Sequence, residues 1–183
     1  MLLALLPGLD GALEYNRDAV ESGELWRLLS AQSVHWTSRM AIADLGVLLA
    51  VGSWVEIRSR RLALVTLITG GLLVGLGLHF LIPNLAHYRG SSGLASALFI
   101  VVVLDLASNS SRKWARPLAV VTLCLFVLKL LWELRTGLAI AAGPLLPGVT
   151  VVPQVHLLGG LAGLLAFIAH RQRRKLLPHS ATP

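Results

Sequence analysis

The sequence predicts an all-α membrane protein, a bundle of five to six transmembrane helices, from two observations. Hydrophobic residues make up 55% of the 183 positions even with the 17 glycines left out, and charged residues only 14%, a balance well beyond that of a soluble domain. Five apolar runs, each close to the ~20 residues that cross a bilayer, follow one another with short polar connections. The mean hydropathy of +0.73 agrees. A chain of this length has room for one such bundle, assigned to residues 1–171, and a basic cytoplasmic tail at 172–183. Any active site must therefore lie among the helices.

The runs fall at 39–57, 61–82, 92–109, 117–138 and 154–170. Ahead of them, MLLALLPGL is apolar but too short to cross, and Pro7 and Gly8 interrupt it. It reads as the tail of a first span begun earlier, which would leave that helix truncated, or as a short segment dipping into the membrane. No basic residues precede it, which argues against a signal peptide. Residues 10–38 form a long connection rich in acids, with Trp26 and Trp36 suited to the interface.

Orientation follows from the loops, because basic residues beside spans stay on the cytoplasmic side. Arg58, Arg60 and Arg61 follow the first run, Arg112, Lys113 and Arg116 the third, and Arg171, Arg173, Arg174 and Lys175 the fifth. This is the alternation of a serpentine chain. The net charge of +7 is thus explained by topology and does not call for nucleic acid. The sequence predicts an integral protein of a bacterial inner membrane, its C-terminus cytoplasmic and its partners the bilayer and membrane-anchored proteins. Cys124 stands alone in an apolar run, so no disulfide, metal site or cofactor is expected.

Ser92 opens the third run and His156 the fifth, both entering from the outer side. Gly90-Ser91-Ser92-Gly93 sits where a loop becomes a helix. Glycines around a serine allow an exposed nucleophile, and free amides at the helix start can hold an oxyanion. A serine there can equally be a plain helix cap. His156 begins a face continued by Gly159 and Gly163, with Gly160 beside it, opposed by Ala95 and Ser96 on the helix of Ser92. Small residues on both helices let the backbones pack closely in lipid, which would bring serine and histidine together. Lys129 and Glu133, spaced i, i+4, read as neutralising each other. Asp105 lies within reach of Arg112 or Lys113. His79 and His87 read as facing headgroups or water.

These motifs resemble the rhomboid intramembrane proteases. Gly90–Gly93 is similar to their Gly-x-Ser-Gly, and His156–Gly163 to their His-x-x-Gly-x-x-x-Gly. GELWRLLSAQSVHW at 23–36 looks like their first outer loop, with Trp26, Arg27 and His35, and Glu56 with Arg58 resembles the end of the next span. The agreement runs from about 23 to 170. HYRGSSGLASALF at 87–99 looks most like the rhombosortase branch, whose substrates carry a C-terminal Gly-Gly signal, a spanning helix and a basic tail. The resemblance implies a rhomboid-like bundle and a serine endopeptidase with a Ser92–His156 dyad. Gly90, Gly93, His35 and Asp44 would support the oxyanion.

One departure stands out. Rhomboids commonly carry a His and an Asn four residues apart on the span after that loop, and here those positions hold Met40 and Asp44. Methionine donates no hydrogen bond, and aspartate donates one only when protonated; Asp44 could instead orient another donor or simply pack between helices. The departure motivates an alternative, an inactive rhomboid-like protein that binds client helices. A small transporter is a third reading, with no internal repeat to support it. No aspartate is placed to complete a triad, and the loop at 139–153, with Gly143, Pro144, Pro147 and Gly148, would be the movable element admitting water and substrate.

Overall fold

The computed structural model describes residues 9–109, 111–138, 149 and 151–176. The first apolar residues, most of the 139–153 loop and the end of the tail lie outside the described residues. Among the described residues, three short α-helices, α1 (Leu9–Leu13), α2 (Arg17–Glu21) and α3 (Arg27–Ser30), and a 3-10 turn at Ala31–Ser33 precede the bundle. Strand β1 (Tyr15–Asn16) pairs antiparallel with β2 (His87–Tyr88), setting Tyr15 opposite Tyr88. The bundle itself is α4 (Ser38–Arg58), α5 (Arg60–Leu81), α6 (Ser92–Asn109), α7 (Ala115–Thr136) and α8 (Gln154–Leu176). These are the five apolar runs, with ends shifted by a few residues. Three of them, α4, α5 and α7, are long and apolar enough to cross a membrane, and α6 is a shorter apolar helix.

Local chemistry sets the helix ends. The Thr37 side chain accepts from the Met40 amide to open α4. Ser59 alone separates α4 from α5, and its side chain accepts from the Leu62 amide. Arg17 closes the far end of α5, donating to the carbonyls of His79 and Ile82 at 2.9 Å each and to Leu85 at 3.2 Å. A cation there satisfies carbonyls that have no helical partner. Helix α7 ends at Gly137, whose φ of 67° is left-handed.

Large apolar side chains such as Ile42, Leu49, Ile68, Val120 and Leu128 point outward, as lipid-facing surfaces do. Without a hydrophobic drive between helices in lipid, close backbone approach matters more. Helix α6 is central and packs on α4, α5, α7 and α8, most extensively on α8, whereas α7 packs chiefly on α6. At the α6–α8 contact a Cβ on Gly159 would collide with the Gly93 carbonyl, and one on Gly163 with that of Ala97. The opposing residues are therefore Gly93 and Ala97, not the expected Ala95 and Ser96. With 3.6 residues per turn, Ser96 falls beneath Ser92, while 93 and 97 lie about 100° further round, toward α8.

Candidate active site

Ser92 is the first residue of α6, and His156 lies in the first turn of α8. Both line a cavity of about 740 Å³, shared with Asp44, Tyr88, Ser96 and Glu133. Gly93, adjacent to the serine, sits under α8 so closely that a Cβ there would come within 3.2 Å of the Val155 carbonyl. The helix starts that carry the serine and the histidine are thus tightly packed against each other. Gly90 makes the approach to α6 possible, with φ at 143°, which only glycine adopts freely. Its amide donates to the Ala31 carbonyl at 3.1 Å, tying this loop to the segment after α3.

The Tyr88 phenol lines the same cavity as Ser92 and donates to the Gly90 carbonyl at 3.0 Å. Burial, and after it the Asp44 carboxylate, hold Tyr88 well above the usual tyrosine range, with the nearby Ser92 hydroxyl opposing them. Tyr88 is therefore a neutral phenol at ordinary pH. Ser96 donates to the Ser92 carbonyl at 2.8 Å.

His35 and Asp44 meet beside Ser91. The Asp44 Oδ2 accepts from the Ser91 amide at 3.2 Å and lies 3.3 Å from His35 Nε2. That same nitrogen is 3.2 Å from Ser91 Oγ. Asp44 thus acts as an acceptor that organises the Gly90–Ser92 turn, while Met40 lines the cavity without a polar group. The amides of the first turn of α6 point along the helix axis toward this end, as at any helix start.

The sequence offered no aspartate to complete a triad, and the acid that the structure sets beside His156 is a glutamate. His156 Nδ1 is 3.1 Å from Glu133 Oε2, and both residues are buried, at 8% and 2% exposure. The carboxylate approaches off the N–H axis, so the contact has ion-pair distance without hydrogen-bond alignment. Lys129 reaches Glu133 at 2.8 Å, as its spacing foretold. The available signal was the acid itself, since an ionisable residue within a span marks a functional site by default. Elsewhere, Asp105 pairs with Arg58 at 2.6 Å. His79 meets the Tyr15 hydroxyl at 3.3 Å, and His87 meets Glu14 at 3.3 Å. Arg27 is buried and donates to the carbonyls of Gly11 and Glu14 and to the Glu24 side chain. Among the described residues no group of His, Cys, Asp and Glu side chains could hold a metal ion.

Fold and site together define a membrane-embedded helical bundle with a serine, a histidine and an acid around one cavity. Residues 22–173 match the rhomboid domain, and the chain belongs to the rhomboid family. Members of that family are in general intramembrane serine proteases, and inactive members exist. Comparison with curated proteins and with solved structures gives no match.

Proposed function

We propose that the protein is an intramembrane serine endopeptidase that cleaves membrane-anchored substrates with Ser92 as nucleophile and His156 as base. The observation that carries this reading is the shared cavity of Ser92 and His156, on helices brought together at Gly93 and Gly159. Rotation of the Ser92 side chain toward His156 Nε2 readies the hydroxyl. Ser92 Oγ then attacks a peptide carbonyl while Nε2 takes its proton, giving a tetrahedral oxyanion held by the α6 amides. The imidazolium returns the proton to the leaving amine, and water resolves the acyl-enzyme by the same steps. The site opens toward the outer side of a bacterial inner membrane, the orientation that the basic loops favour.

Within the family, the segment HYRGSSGLASALF supports the rhombosortase branch, and with it substrates bearing a Gly-Gly signal before a spanning helix. The test is cleavage by the protein reconstituted in liposomes, using anchored substrates with and without that signal. The reading expects cleavage by the parent and none by Ser92→Ala or His156→Ala; activity retained by both variants would overturn it. Selectivity for the Gly-Gly substrate would support the branch, and indifference would reject it.

A second reading, an inactive protein that binds client helices, draws on Asp44. Its carboxylate sits on the Ser91 amide beside the place where an oxyanion would form. Client capture by a parent that cleaves nothing would favour it.

A further inference from the structure

We infer that Glu133 is a positioning residue for His156, so that the working site is Ser92–His156–Glu133 with the acid supplied by α7. This rests on the protease reading above and extends it. The acid lies 3.1 Å from Nδ1, the nitrogen that must carry a proton if Nε2 is to accept one from Ser92. Nδ1 is buried and has no aligned partner. A buried ring N–H left without an acceptor is costly, and Glu133 needs only a small ring rotation to serve. The carboxyl favours the Nδ1–H tautomer and steadies the imidazolium that forms during attack.

The competing role is that of a counter-ion for Lys129 alone. Burial argues against it, because the Lys129 side chain is 31% exposed while that of Glu133 is 2% exposed and lines the cavity with His156. A carboxyl serving only a partly exposed amine has no reason to be enclosed at the cost of its own hydration. The two ends of the chain segment also agree. Glu133 lies in the last turn of α7 and His156 in the first turn of α8, so the contact forms where those helices reach the same end of the bundle.

The groups facing His156 across the cavity are Ser92 and Ser96 from α6, Lys129 and Glu133 from α7, Asp44 from α4, and His87, Tyr88 and Arg89 from the β2 segment. Of these, Glu133 is the one placed at ion-pair distance from the ring. Its loss should therefore move the titration of His156 more than any change to the others.

The test uses the full chain in detergent or nanodiscs with 15N-labelled histidine, and His156 is assigned among the six histidines by a His156→Gln spectrum. In the parent, His156 is expected to show the Nδ1–H tautomer at neutral pH. In Glu133→Gln the preference should weaken and the titration should move to lower pH, since an anionic neighbour has gone. Glu133→Asp should restore part of the parent signature. The acid limb of the pH–rate profile should move the same way, with turnover down about tenfold or more, short of the ~10⁴ seen when an aligned triad acid is replaced.

A double change, Lys129→Met with Glu133→Gln, separates the two roles. A counter-ion role predicts that neutralising both restores the His156 titration and turnover, and this result would overturn the proposal. A positioning role predicts that both stay impaired. The nitrogen spectra need no turnover, so the outcomes remain distinct. A parent with no cleavage defeats the protease reading, whereas a parent whose His156 spectra ignore Glu133→Gln defeats this inference alone.

Discussion

Gly159→Ala is the substitution through which packing and chemistry are most tightly linked. The added methyl would collide with the Gly93 carbonyl, which is backbone and cannot swing aside. Ordinary carbon–oxygen contact requires α8 to retreat from α6 by about 1 Å or more. Overpacking of this kind costs about 1–3 kcal/mol, and a misplacement of ~1 Å between reacting groups lowers the rate on the order of a hundredfold. Gly160→Ala, one residue along, is the control, because its methyl would stand 3.5 Å from Ile100 Cγ1, an ordinary contact. Thermal unfolding followed by tryptophan fluorescence gives the stability, and liposome cleavage gives the rate. Gly159→Ala should lower the unfolding temperature and nearly abolish cleavage, with Gly160→Ala close to the parent in both. If the two variants behaved alike, close backbone packing would not be what joins Ser92 to His156.

Three further outcomes follow from other parts of the structure. Asp44→Leu leaves the Ser91 amide without its acceptor and should cost about 1–3 kcal/mol of stability with a clear loss of turnover, while Asp44→Asn, which keeps an acceptor and adds a donor, should retain turnover; parent-like turnover in the leucine variant would remove Asp44 from the site. Arg17→Met strips the carbonyls at the end of α5 of their cation and should lower stability by about 2–3 kcal/mol in the same unfolding measurement, and no change would show that water replaces it freely. Burial raises both tyrosines, Tyr15 and Tyr88, so ultraviolet titration of the folded protein should show no phenolate below about pH 10; because a raised folded value favours the protonated state, stability should be full below that pH and fall as pH rises beyond it.

Much of the fold was legible because lipid imposes simple demands. Span length, absence of charge and alternation of basic loops located α4 to α8, and they need no knowledge of packing. The common end of Ser92 and His156 followed from the same alternation, and the glycines at 159 and 163 marked a close contact. What they contact was not legible, because the rotation of α6 about its own axis decides whether 93 and 97 or 95 and 96 face α8. Glu133 was hidden for a related reason. Its spacing from Lys129 is local and visible, whereas its meeting with His156 joins two helices through a loop and depends on how α7 turns. Tyr88 escaped notice because its role depends on a two-residue strand pairing with Tyr15 across more than seventy residues.

Reaction of Ser92 with a serine-directed fluorophosphonate, read by intact mass and peptide mapping, bears most directly on the reactive pair. The parent should take up one adduct, on Ser92, and His156→Ala should take up none under the same conditions. Equal labelling with and without the imidazole, or an adduct on another residue, would contradict the assignment of nucleophile and base.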